Sequence, residues 1–155
     1  MIYRLCIVLS MVDVKHKGAQ TELQCITYLH GLGYNISIPF GDNARYDLIL
    51  DTNKELLKLQ IKTARQCTDT NDTWVINTSS TGINHQINKK RRYTADEIDY
   101  FGTYINGQVY LVPVSECGGN EKRLRFAPPL NNQKSRCNMA QDYDAIKVLA
   151  ERDNT

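Results

Sequence analysis

Arg45-Tyr46-Asp47-Leu48-Ile49-Leu50-Asp51-Thr52-Asn53-Lys54-Glu55-Leu56-Leu57-Lys58-Leu59-Gln60-Ile61-Lys62-Thr63 reads as two strands folded about one turn. The strands run from about Arg45 to Asp51 and from Glu55 to Thr63, with the turn at Asp51-Thr52-Asn53-Lys54. With Asn53 and Lys54 as the central turn residues, Asp47 lies directly opposite Gln60. Opposed residues share a face, and the period of two adds Lys58 and Lys62 to it. Leu57, Leu59 and Ile61 then point the other way, into a core. One face collects an acid, an amide and two lysines while its reverse is apolar. A slip of one residue would break this set.

Working outward, Lys15 to Gly33 carries helical signals and ends in the stop Gly31-Leu32-Gly33. Tyr34 to Pro39 alternates as a strand, closed by Pro39 and Gly41-Asp42-Asn43. Met1 to Met11 reads as an appendage, a candidate added strand. Downstream, a strand at Thr73 to Asn77 precedes a long polar stretch, Thr78 to Tyr93. A short helix is expected from Thr94, where Thr94-Ala95-Asp96-Glu97 matches a capping box. Strands follow at Phe101 to Ile105, Gln108 to Val114 and Arg123 to Phe126, and a last helix at Met139 to Arg152. The order predicts an α/β protein, or α+β sandwich, with a mixed central sheet flanked by helices. Three parts are expected: an N-terminal extension (1–14), a core (15–117), and a C-terminal strand and helix (118–155) packed on that core or on a neighbouring subunit.

Composition agrees with one soluble domain: 155 residues, 41% hydrophobic and 23% charged. Nineteen basic against seventeen acidic side chains leave +2, so net charge names no partner. The apolar run Leu5 to Met11 is too short to span a bilayer, which takes about 20 residues, and it lacks a cleavage signature. No membrane association is expected. Cys6, Cys25, Cys67, Cys117 and Cys137 are odd in number and widely spaced, which suits neither a disulfide framework nor a zinc site. Reduced thiols in the cytoplasm are the expectation.

Glu22 is the unusual residue of the first helix. Ala19, Leu23, Cys25, Ile26, Leu29 and Leu32 cover one arc at 100° per residue, and Glu22 falls within it. A carboxylate facing a core costs several kcal/mol unless a cation or donors meet it. A structural ion pair would answer that cost, and so would a metal ion. Joined to Asp47 and the Gln60 amide oxygen, Glu22 offers the hard oxygen ligands that suit Mg²⁺. A lysine beside such an ion can orient water and offset charge developing on phosphorus.

A helix glutamate, an aspartate at a strand start and Gln-x-Lys on the next strand resemble the PD-(D/E)XK nucleases, and within them the small group I intron-associated endonucleases. The likeness is carried by Lys17-Gly18 through Glu22, Gly41 through Asp47, Leu59 through Thr63 and Tyr93 through Tyr104. Tyr110-Leu111-Val112-Pro113 and Asn131-Asn132-Gln133 add to it, so it spans about residues 15–145. The resemblance implies a restriction-endonuclease-like core and Mg²⁺-dependent hydrolysis of phosphodiesters. It assigns Glu22, Asp47, Gln60 and Lys62 to the active site, with Glu22, Asp47 and the Ile61 carbonyl as metal ligands. Two departures stand out: Tyr46 occupies the place of the name-giving proline, and Gln60 replaces an acid. The lost charge favours one essential Mg²⁺ per centre, and it also admits a degenerate, non-cutting protein.

For nucleic acid, Lys89-Lys90-Arg91-Arg92 places four cations together in the long polar stretch, with Lys15, Lys17 and Arg65 expected near the centre. Asn84, His85, Gln86 and Asn88 are of the types that read base edges. A solvated basic loop is the plainer alternative. Tyr93, Tyr100, Phe101 and Tyr104 are expected in the core rather than stacked on bases. The expected partner is double-stranded DNA. One centre cuts one strand and so small a chain covers little duplex, which predicts a homodimer or homotetramer. A homing enzyme would cut one long duplex site; a junction resolvase, built on the same kind of fold, would take branched DNA whatever its sequence.

Overall fold

The computed structural model describes residues 2–41, 43–70, 72–84, 87–129 and 137–154, with side chains at 14 and beyond except 81–89. Its first antiparallel strands are β1 (Asn35–Ser37), β2 (Leu48–Asp51) and β3 (Leu56–Ile61). Between β2 and β3 Asn53 takes a left-handed backbone (φ 64°), and the Asp51 carboxylate accepts its N–H at 2.9 Å. Such local bonding is why Asx residues favour turns. The turn sets the register Leu48↔Leu59, Ile49↔Lys58, Leu50↔Leu57 and Asp51↔Leu56, the pairing expected from Asn53-Lys54 as its centre.

Beyond β3 come β4 (Arg65–Gln66), β5 (Thr73–Asn77), β6 (Ser79–Asn84), β7 (Ile87–Arg92), β8 (Tyr100–Ile105), β9 (Gln108–Pro113) and β10 (Glu121–Arg125). The central sheet has the order β1-β2-β3-β8-β9, and its one parallel pairing is β3 with β8. The β8–β9 turn uses Asn106 (φ 51°) and Gly107 (φ 89°), both left-handed, the backbone that a two-residue hairpin needs. A second sheet runs β10-β5-β4, and β6–β7 form a separate hairpin.

Helices α1 (Ile2–Gly31) and α2 (Ala145–Asp153) lie against one face of the central sheet. Cys25 and Leu29 from α1, and Ala145 and Leu149 from α2, close over Leu48, Leu50, Leu57, Leu59, Ile61 and Leu111. Each fully buried leucine contributes about 1.5–3 kcal/mol. The opposite face carries Phe101, Tyr110 and Val112, packed with Ile76 and Leu124 of the second sheet. The result is three layers with a mixed central sheet, the architecture expected. The C-terminal helix rests on its own chain's core, and Arg152 ties it to Glu55 and to the Tyr100 hydroxyl (2.9 Å).

Several elements differ from expectation. Residues 2–11 continue α1 rather than forming a strand. Ala19, Leu23 and Leu32 stand exposed, and the buried face of α1 runs instead through Thr21, Cys25 and Leu29. The polar stretch 78–93 holds the paired strands β6 and β7 rather than a loop, their backbone groups bonding across the pair. From Thr94 there is one turn and no helix. The Thr94 N–H does meet the Glu97 carboxylate (3.1 Å), but β8 begins at Tyr100 and leaves no room for a second turn. The last helix is divided at Asp144, which caps α2 by accepting the Ile146 N–H at 2.9 Å; a short 3-10 turn, Ala140–Tyr143, precedes it. His85, Gln86 and residues 131–133 lie outside the described residues. Among the described residues no helix is long and apolar enough to cross a membrane.

Candidate active site

Where β2 begins and β3 ends, the hairpin register sets Asp47 beside Gln60. The Asp47 N–H bonds the Leu59 carbonyl (2.9 Å), extending the ladder by one residue. Its carboxylate Oδ2 accepts two hydrogen bonds, from Gln60 Nε2 and from the Ile61 N–H, each at 2.6 Å. Gln60 is only 9% exposed, so this contact is made largely away from water. Burial pushes the Asp47 carboxyl up, while the Ile61 N–H, Lys62 and Gln60 oppose the shift.

Glu22 reaches the same place from α1. Thr21, its neighbour, shares a 2.9 Å hydroxyl contact with Thr63 just past β3, which pins this turn of the helix to the end of the strand. Burial and then the charge of Asp47 raise the Glu22 carboxyl, and Lys62 lowers it. Beneath them Cys25, fully buried, has its thiol pushed up to about 12 by burial first and then by Glu22 and Asp47. Asp47 and Gln60 are thus in direct contact at the end of the hairpin, with Glu22 and Lys62 near enough for their charges to act on the site. Lys58 shares their strand face, but its ammonium bonds the Asp96 carbonyl (3.2 Å).

One detail departs from expectation. Gln60 meets Asp47 through its amide nitrogen, so it holds the aspartate instead of presenting an oxygen on that side. Among the described residues no cluster of three or more acidic, histidine or cysteine side chains makes a complete metal cage. The donor set still fits a divalent ion. Two carboxylates with raised proton affinity stand in one partly buried place with one lysine against them, a deficit of positive charge that an ion would fill.

The basic residues divide. Lys15 and Lys17 are exposed on α1, Lys15 two turns before Glu22 and on its face. Arg65 lies on β4 and pairs with Glu121 at 2.7 Å. Strand alternation splits the cluster: Arg91 bonds Glu97, while Lys90 and Arg92 project exposed from the other face of β7. The side chain of Lys89 lies outside the described residues, as does His85.

Three residues at the site's edge were given no site role from the sequence: Arg45, Tyr93 (expected in the core) and Glu97 (expected in a capping box). The Arg45 guanidinium stacks 4.0 Å over the Tyr93 ring, bonds Glu97 (3.2 Å) and bonds the Ser80 hydroxyl (2.9 Å). Tyr93 sits edge-on to Phe101 (5.3 Å), and its hydroxyl is 3.5 Å from Lys62 Nζ. The available signal was position: Arg45 precedes Asp47 by two residues and Tyr93 closes the basic strand.

A helix and a mixed sheet that gather two acids, an amide and a lysine at a strand end have the restriction-endonuclease-like fold. A solved structure of a bacterial homing endonuclease, I-Ssp6803I, has the same fold, with a TM-score of 0.73 over 90% of this chain and 94% of that one, at 23% identity. No curated protein matches the chain. Residues 12–146 match the family described as PD-(D/E)XK endonuclease, and the chain belongs to that family. It is by family a DNA endonuclease, of a class that generally uses divalent metal ions.

Proposed function

We propose that the protein is a Mg²⁺-dependent, site-specific endonuclease of intron-homing type that hydrolyses both strands of duplex DNA. The observation that carries this reading is the Asp47 carboxylate, held by Gln60 and Ile61 with Glu22 and Lys62 in its field. Glu22, Asp47 and the Ile61 carbonyl would hold the ion. When bound, Mg²⁺ polarises the scissile phosphate and lowers the cost of ionising a water. Lys62 orients the attacking water and offsets the negative charge that grows on the phosphoryl oxygens. Gln60 and the Ile61 N–H fix the rotamer of Asp47, which leaves its other oxygen for the cation. The water gives up a proton to solvent as its oxygen bonds to phosphorus, the opposite P–O bond breaks, and the leaving oxygen takes a proton from solvent.

Lys62→Ala should abolish cutting of a duplex-site library in Mg²⁺ while DNA binding stays near wild type. Normal cutting by that variant would refute the assignment. Gln60, in place of an acid, favours one second reading, a DNA-binding protein that no longer cuts. Titration calorimetry with Mg²⁺ separates the two, since heat with wild type but not with Asp47→Ala supports the enzyme and heat with neither supports the binder.

One centre per chain means one strand per chain, so we place the working form at a homodimer or homotetramer in a reducing cytoplasm. Exposed Val14, Leu23, Ile38 and Phe40 are apolar surface of the kind that copies bury against one another. Cys25, Cys67 and Cys117 carry free thiols, as a reducing compartment keeps them. An active monomer in sedimentation velocity would overturn the oligomer.

A further inference from the structure

The route from the basic hairpin to the lysine of the site is short and entirely polar or aromatic. Arg45 stands at its centre. Its Nη1 donates to Ser80 Oγ on β6 (2.9 Å), its Nη2 to the Arg92 carbonyl on β7 (3.5 Å), and its Nε to Glu97 (3.2 Å). Glu97 also takes Arg91 of β7, so both strands of the hairpin are bolted to one guanidinium and one carboxylate. Burial works against the charge of Glu97, yet the Thr94 N–H, Arg45 and Arg91 together hold its carboxyl below the ordinary range. The anchor therefore stays ionised at neutral pH.

The other face of Arg45 covers the Tyr93 ring at 4.0 Å. That ring is braced from behind by Phe101, edge-on at 5.3 Å. Lys62 Nζ also lies 5.3 Å from the ring centroid and 3.5 Å from the Tyr93 hydroxyl. Phe101 is fully buried and sits in β8 directly beside Gln60 of β3. The brace is thus part of the central sheet, and the contact sets the lysine against a ring fixed by that sheet. Arg45 is only two residues before Asp47, so movement of the hairpin base reaches both the acid and the lysine.

We propose that Arg45 and Tyr93 are positioning residues that couple seating of the β6–β7 hairpin on DNA to the placement of the Lys62 ammonium. This rests on the nuclease reading above, in which Lys62 serves the reacting phosphate. In this scheme neither the guanidinium nor the ring touches a reacting atom; both act through Lys62. A hairpin displaced by a wrong site would draw Arg45 off the ring and leave the lysine unheld, so selectivity would appear in the rate of cutting as well as in binding.

The test is single-turnover cleavage at saturating duplex in Mg²⁺, beside DNA affinity measured in Ca²⁺, for wild type, Tyr93→Phe, Arg45→Met, Arg45→Lys and Lys62→Ala. Tyr93→Phe keeps the ring, its stacking and its packing on Phe101. It should slow cutting about tenfold, or about 1.4 kcal/mol of barrier, with affinity unchanged within about twofold. Arg45→Met should do at least as much, and Arg45→Lys should recover part of the rate. A Tyr93→Phe protein that cuts at the wild-type rate while Lys62→Ala is dead would overturn the coupling and leave the nuclease reading standing. Loss of affinity with the rate at saturation preserved would also overturn it, making these residues ordinary supports of the hairpin. A wild-type protein that cuts no duplex would overturn both.

Discussion

Replacing Gln60 by Glu restores an acid at the position where the family pattern has one, and the structure says what that costs. Gln60 Nε2 is 2.6 Å from Asp47 Oδ2 and the residue is 9% exposed, so the new carboxylate has little room to turn to solvent. Two ionised carboxylates drawn back to about 4 Å repel by about 4 kcal/mol at an effective dielectric near 20. The alternative is to keep one proton, which donates in place of the lost amide N–H. Each pH unit between the unfolded-state value and the raised folded-state value then costs about 1.4 kcal/mol. The folded-state pKa of the pair lies above its unfolded value, so its stability is present at low pH and is lost as pH rises through the folded value. Urea unfolding of Gln60→Glu should match wild type near pH 4 and fall behind by about 2–4 kcal/mol at pH 8 in EDTA. Mg²⁺ should return most of the difference, since the added acid raises the charge facing the ion. Equal midpoints for the two proteins at pH 8 in EDTA would show that residue 60 does not face Asp47, and the site as described would fall. Failure of Mg²⁺ to restore the variant would remove the ion from between these groups.

Other outcomes follow from the same geometry. Glu22→Gln should stabilise the metal-free protein above the raised carboxyl pKa by up to about 1 kcal/mol, discounted for its partial exposure, and lose that gain in acid; thermal melts in EDTA across pH measure it, and cutting should be lost. Gly102→Ala should cost about 1–3 kcal/mol in unfolding, because a Cβ there would lie 2.7 Å from Cδ1 of the buried Ile61, the residue whose N–H holds Asp47. Replacing Lys90 and Arg92 with Ala should lower the log–log salt slope of DNA binding by about 0.9 for each phosphate contact removed. Arg91→Ala should change the slope less, since Glu97 already occupies that guanidinium.

The hairpin was legible because two independent signals agreed, an Asn-centred turn and an alternation of leucines with polar residues. That alone put Asp47, Gln60 and Lys62 on one face. Glu22 was legible as an acid on a helix with an apolar side, although the arc itself was misjudged: Leu23 and Leu32 are exposed, and Thr21 takes a place among the buried residues through its bond to Thr63. Hydrophobicity cannot report a threonine that is buried because its hydroxyl is satisfied. The β6–β7 hairpin was invisible for a related reason. Its strands are held by backbone pairing and by Arg45, and the sequence there carries no alternation of apolar and polar residues to mark them. The turn at Thr94 shows the reverse error. A genuine capping arrangement formed, but Arg45 and Arg91 recruited its glutamate and the sheet claimed the residues that a helix would have needed. Contacts between residues far apart in sequence decided each of these cases.

Cys25 makes the seam between helix and sheet open to chemical timing. Alkylating reagents attack a thiolate they can reach, and this sulfur, sealed under two acids, offers neither charge nor access until the helix lifts. The labelling rate of the Cys25 peptide, followed by mass spectrometry, therefore counts excursions of that helix from its seat. A divalent ion held by Glu22 and Asp47 would lengthen the interval between those excursions.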